Sequence, residues 1–266
     1  MIRITKIILK CLFILALLLP VPYAGAVNES GAVSNDALLT LTPNAVDVNF
    51  FFREAKISFS SRIPSGCDAV LIVKGKNHQK KMGLRGRRFG LWMAVGTITF
   101  KNAPTFYKCF TSKPITGITS KENAVSYGMG YEKIENEIAS ASDGKGAEKR
   151  WIEQFVKYQK KADIFSILEG AIKISDNRDG TETVTGTFVI PAWAPKDYYN
   201  VTLFGFKNQL PVVKEEKTLS MKYTPSIAFI YNLAMDHGWI YGIMAVIIAL
   251  VAGIGAGAFF SSKGAH

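Results

Sequence analysis

The residues best suited to chemistry in this chain are cations. Lys74, Lys76, Lys80, Lys81, Arg85, Arg87 and Arg88 fall within fifteen positions, with His78 among them. From Ala69 to Lys121 there are eleven basic residues and no Asp or Glu. Glycines punctuate the stretch, as in Gly83-Leu-Arg-Gly-Arg-Arg-Phe-Gly90. Guanidinium forks beside exposed backbone N–H groups suit oxyanions and lipid phosphates. The seven cations are therefore candidate anion-binding residues. The competing reading is a hairpin with a charged exposed edge, which deters strand-to-strand aggregation.

Catalytic constellations are missing from the sequence. Besides His78, the histidines are His237, beside a long apolar run, and the terminal His266. A Ser-His-Asp arrangement would have one credible histidine. No HExxH, CxxC, P-loop or GxSxG occurs. Asp176-Asn-Arg-Asp-Gly180 has the look of a calcium loop, but no glutamate follows at the required distance, so it reads as a hairpin turn. Glu215-Glu216 reads as solvent-exposed. The expectation is a protein that is not an enzyme, with no metal site and no cofactor.

There are three cysteines. Cys11 lies in the N-terminal apolar segment. Cys67 and Cys109 are either a disulfide formed in an oxidising compartment or two unpaired core cysteines.

The two ends bound where the rest must work. Arg3, Lys6 and Lys10 precede the apolar run Cys11 to Leu19, followed by Pro20, Pro22 and Ala24-Gly25-Ala26. Charged, apolar and small-residue parts in that order predict a secretory signal over 1–26, removed after Ala26. Near the other end, Trp239 to Phe260 is uncharged. At the helical rise its 22 residues cover about 33 Å, enough to cross a bilayer. Lys263 follows, in a tail of 261–266. Residues 225–238 predict a short amphipathic helix, with Thr224 as its cap and Ile227, Ile230, Tyr231 and Ala234 on one face. Gly253 and Gly257 form a GxxxG, which suits close helix pairing. The expected location is the bacterial inner membrane, single-pass, with the N-terminal domain in the periplasm and the C-terminus in the cytoplasm.

Net charge is +11. Without 1–26, which hold three basic residues and no acid, 29 basic groups face 21 acidic ones, a net +8. That excess favours anionic partners. An extracytoplasmic location points to membrane lipid rather than nucleic acid.

Residues 27–224 must position the cations. Short strands are predicted at Ala55–Ser60, Ala69–Lys74, Leu91–Phe100, Thr105–Thr111, Thr181–Ile190, Tyr198–Phe206 and Val212–Tyr223, separated by Gly, Pro and Asn signals. Between the two β blocks, an insertion at about 121–170 reads as helical. Trp151, Phe155, Tyr158, Ala162 and Phe165 recur at helical spacing over Ala147 to Glu169, closing on Gly170. A second, shorter helix is expected around Tyr131 to Ser140. The fold class is mainly β with a helical insertion: an immunoglobulin-like β-sandwich plus one C-terminal transmembrane helix.

Pro64-Ser-Gly-Cys-Asp-Ala-Val-Leu-Ile-Val-Lys-Gly75, Gly90-Leu-Trp92, Pro104-Thr-Phe-Tyr107, Ser112-Lys-Pro114 and the Tyr-x-Pro-x-Ile at 223–227 carry a resemblance. The chain resembles a family of bacterial transmembrane proteins first defined in alphaproteobacteria. The resemblance implies a signal peptide, an extracytoplasmic region and one C-terminal span, with no established activity. It implies no fixed cysteine at 67 or 109. It also implies the company of a sulfite-exporter-type permease, and hence an accessory role in moving a sulfur oxyanion. The alternative is an envelope structural or assembly protein making protein and lipid head-group contacts.

Overall fold

A computed structural model describes residues 39–261. The expected signal segment, Cys11 and residues 262–266 lie outside the described residues. The chain divides into two compact units, one running to Lys222 and one beginning at Tyr223.

The first unit is mainly β. Its strands are β1 (Thr40–Thr42), β2 (Ala45–Val48), β3 (Glu54–Pro64), β4 (Asp68–Gly75), β5 (Asn77–Arg88) and β6 (Leu91–Pro104). Then come β7 (Tyr107–Thr111), β8 (Phe165–Leu168), β9 (Lys173–Asp176), β10 (Thr181–Pro191), β11 (Tyr198–Lys207) and β12 (Leu210–Tyr223). Strand β3 shows why these segments pair: Ala55, Ile57, Phe59 and Ile63 are buried while Lys56, Ser58 and Arg62 are exposed. Period-two burial of this kind fixes register, because a one-residue slip would expose the whole apolar set. Strand β4 is buried from Ala69 to Val73 on both faces, as a central strand is.

Two sheets result, in the orders β1-β3-β10-β9 and β2-β12-β11-β4-β7-β8. They face each other through apolar side chains. The Phe188 ring of β10 lies 6.0 Å from Phe110 of β7 across the layers and 6.5 Å from Phe59 within its own sheet. At the start of β11, buried Tyr199 donates its hydroxyl proton to the Pro195 carbonyl upstream and meets Phe106 edge-on at 5.2 Å. Among the described residues, strands β5 and β6 join neither sheet and pair only with each other. Strand β5 was not among the expected strands, and the hairpin given as the competing reading of its cations is what the structure has.

Helices fill the stretch between β7 and β8: α1 (Ile115–Ile118), α2 (Lys121–Tyr127), α3 (Glu132–Ala141), a 3-10 turn (Gly144–Ala147) and α4 (Lys149–Lys161). The expected long helix to Glu169 is corrected. Helix α4 stops at Lys161, Asp163 takes φ of 53°, and Phe165 belongs to β8, which runs parallel to β7. The apolar stripe had been counted across that break. Within α4 the buried face is Ile152, Phe155, Val156 and Gln159, while Tyr158 is 56% exposed.

The disulfide reading is also corrected: Cys67 and Cys109 are both free and buried. Register explains why. Cys109 pairs with Ile72, and Cys67 lies five residues before Ile72. At strand spacing that separates them by about 16 Å, whereas a bridge needs Cα atoms within about 7 Å. Burial pushes the Cys109 thiol up to about 12. Cys109 is therefore expected to resist thiol reagents in the native protein, and both cysteines to react one-for-one after denaturation without reductant. A thiol titration with and without denaturant checks this.

The second unit contains α5 (Pro225–Asp236) and α6 (Gly238–Ser261). Pro225 opens α5 as expected, but the Thr224 side chain makes no capping hydrogen bond. The one-sided apolar face is corrected too. Phe229 and Met235, 64% and 68% exposed, add to Ile227, Ile230 and Tyr231 and leave no broad polar face. Helix α6 is, among the described residues, the one helix long and apolar enough to cross a membrane, with a mean hydropathy of 2.3 over Gly238–Gly257. Gly253 and Gly257 lie one turn apart on it, with no described atom near either Cα face.

Candidate functional site

The cation-rich segment is a β-hairpin arm. Arg88 pairs with Leu91, leaving Phe89-Gly90 as a two-residue turn with φ of 52° and 80°. Positive φ at both central positions marks the turn whose twist matches paired strands, for which Asn-Gly is the usual choice. Phenylalanine pays in backbone strain at such a position, and here its ring is 98% exposed.

The root of the arm is clamped. Ile98 and Phe100 are buried, and Phe100 packs on Phe155 of α4 with ring centroids 4.9 Å apart. The Lys101 N–H donates to Ser142 Oγ at 2.8 Å, and Lys101 Nζ meets Asp143 at 3.0 Å. A side chain at Gly146 would begin 2.1 Å from the Thr99 carbonyl oxygen, so the 3-10 turn presses directly on β6. Where β4 passes into β5, Asp197 holds Lys76 at 2.9 Å and His78 at 3.5 Å. Partial burial raises the Asp197 carboxyl, but hydrogen bonds from Lys76, the Tyr198 N–H and His78 outweigh it and hold the group below the usual carboxylate range. A depressed carboxylate stabilises the fold above its unfolded value of about 3.9 and loses that contribution as pH falls through the lower folded value. Asp197→Asn is therefore expected to lower Tm at pH 7, with the gap from wild type closing below about pH 3.9. Thermal unfolding of both proteins across pH checks this.

Beyond the root the arm is exposed on both faces. Opposed residues share a face. Lys81, Arg85 and Arg87 lie on one side with Trp92, and the Arg87 guanidinium stands 5.8 Å from the centre of the Trp92 ring. Met82, Leu84, Met93, Leu91 and the bulged Val95 occupy the other side, joined by Lys80 and Arg88; Val95 sits over Gly86. Leu91 and Trp92 are 66% and 67% exposed.

The structure thus separates the seven candidate cations. Lys80, Lys81, Arg85, Arg87 and Arg88 lie along β5, spread over about 26 Å at strand spacing and divided between two faces. Lys74 and Lys76 belong to the body. Lys74 is tied to Glu137 at 3.0 Å, and Lys76 to Asp197. Both line an open cleft of about 780 Å³ with Lys133 and Lys214. In that cleft Lys133 donates to the Ser126 carbonyl and Lys214 pairs with Glu216 at 2.8 Å, so its cations already have partners. Glu215, expected in solvent, instead accepts a 2.8 Å hydrogen bond from Ser61, and burial raises its carboxyl.

What sequence reasoning missed is the apolar half of the arm. Leu91-Trp-Met-Ala-Val95 was read as a strand of the sheet. The signal was its position directly after a two-residue turn ending in glycine, opposite a strand too charged to be buried.

No curated protein and no solved structure matches the chain. The family model described as "Putative transmembrane protein (Alph_Pro_TM)" matches residues 38–262, from the edge of the first strand to the end of α6. A match over that length places the chain in the family: it belongs to the Alph_Pro_TM transmembrane proteins.

Proposed function

We propose that this protein is a membrane-anchored, extracytoplasmic accessory module that works by docking, with the 77–104 hairpin as its working element. It is not an enzyme in this reading, and it does not gather a free sulfur oxyanion between its arginines. One observation carries the proposal: a braced arm holds five cations and five large apolar side chains out in solvent, with no acid between them. Exposed apolar groups in that number mark an interaction surface.

The body serves as a rigid base, and several features support an immunoglobulin-like assignment. Strand orders β1-β3-β10-β9 and β12-β11-β4-β7 follow the A-B-E-D and G-F-C-C′ orders of such sandwiches. Tyr199 bonding back to Pro195 at the start of β11 fits the tyrosine corner of strand F. On that assignment the arm is an insertion between strands C and C′, and the helices an insertion after C′. A cleaved signal over 1–26 and α6 as stop-transfer span would put body and arm in the periplasm of a bacterial inner-membrane protein. A sulfite-exporter-type permease, as the family resemblance implies, is then a neighbour in the same membrane.

A photo-crosslinking amino acid placed at Phe89 in living cells tests the docking role. Adducts are expected from position 89 and not from the exposed Lys157 of α4. Equal or no labelling at the two positions would refute it.

A further inference from the structure

We infer that the surface the arm takes is an anionic lipid bilayer, entered by the Phe89-Gly-Leu-Trp92 tip with the arginines at head-group level. This rests on the docking reading above and names its partner.

Three observations favour lipid over a protein groove. First, the distal arm is apolar on all sides: Leu91, Met93 and Val95 on one face, Trp92 on the other and Phe89 at the end, each at least 40% exposed. A groove receives one face of a hairpin, whereas a bilayer surface receives a tip from every direction. Second, the residue types are layered. Phe89 stands alone at the tip, Arg88 and Arg87 lie level with Leu91 and Trp92 across the hairpin, and Arg85 follows opposite Ala94. Aromatic rings favour the membrane interface, and Arg and Lys favour anionic head groups. Arg87 lying along Trp92 places both in the same layer. Third, charge complementarity is one-signed: strands β5 and β6 contain five cations and Lys101 but no acid.

Geometry sets the depth. From buried Ile98 to Leu91 the strand extends about 23 Å, so the tip stands clear of the body. A two-stranded arm leaves backbone groups unpaired along both edges, and these cannot enter hydrocarbon. The tip therefore stops in the hydrated interface. The left-handed conformation of Phe89 has a rationale here, since its ring gains nothing within the molecule but is aimed outward from the turn. Helix α6, on the same chain, is long and apolar enough to anchor it in a bilayer.

The test uses the full-length chain in proteoliposomes. Met93→Cys carries an environment-sensitive fluorophore, leaving Phe89, Leu91 and Trp92 intact; buried Cys109 and Cys67 are controlled for by labelling the wild type. In vesicles containing phosphatidylglycerol, the probe is expected to shift to the blue and to be quenched by brominated acyl chains. Combining Arg85→Gln, Arg87→Gln and Arg88→Gln should lower the ratio of docked to free arm about fivefold per charge, roughly a hundredfold in all. Thermal unfolding unchanged from wild type shows that the variant is folded. A probe that stays aqueous on anionic vesicles overturns the lipid proposal. If position 89 still crosslinks to a protein in cells, the docking reading survives that failure; if it crosslinks to nothing, both fall.

Discussion

Phe188→Ala is expected to destabilise the β body by about 3–5 kcal/mol, the range for deleting a large buried ring. The residue is 2% exposed and bridges the layers, with Phe59 beside it and Phe110 across from it. No neighbour can close the gap cheaply. Gly186, two residues away on β10, already has the Phe59 ring so close that a Cβ there would lie 2.6 Å from it. Phe59 is thus wedged over Gly186 and is not free to swing into the space left by Phe188. For a body of this size each kcal/mol moves Tm by about 2–4 °C, so a fall of roughly 10 °C is expected. Differential scanning calorimetry checks it. A loss below about 1 kcal/mol would mean the two sheets are not packed through this ring.

The second expected result is the opposite in kind: a large change in association with almost none in stability. Deleting Leu84 to Gly96 and joining Gly83 to Thr97 through Asn-Gly preserves the pairing of Gly83 with Thr97 and supplies the turn chemistry such a junction needs. The residues removed are exposed or half-buried, and buried Ile98 and Phe100 remain against α4. Stability should stay within about 1 kcal/mol of the parent, as for changes away from the core. Beyond the lipid that α6 itself holds, the shortened chain should lose the lipid or protein that the parent retains when membranes are solubilised in mild detergent. Lipid analysis and gel electrophoresis of the purified proteins read this out. Unchanged association with an intact fold would show that the arm is not the working element. Loss of the fold itself would show that the tip helps to hold the body, contrary to its exposure.

Much of the framework was legible in residues alone because burial there is local and periodic. Alternation in Thr183 to Ile190 and Tyr199 to Phe206 placed β10 and β11 almost to the residue. Asp179-Gly180 gave the turn between β9 and β10, with Gly180 at φ of 80°. The stripe of α4 was legible in type but not in face or length, since periodicity continued by chance through Asp163 into a strand. Cys67 and Cys109 could not be resolved from sequence, because pairing depends on register between β4 and β7, which no local pattern encodes.

The cations follow the same division. By itself the sequence determined that a run free of acids carries them, and that Trp239 to Phe260 is an uncharged apolar stretch, since charge and hydropathy are properties of single residues. Only the tertiary structure decided that Lys74 and Lys76 are held by Glu137 and Asp197 while Lys80, Lys81, Arg85, Arg87 and Arg88 are exposed along β5. The acids that hold the first two come from residues more than 60 and 120 positions away along the chain. Whether a charge is partnered is a question of distance in space, and electrostatic attraction at a few ångströms is indifferent to separation in sequence.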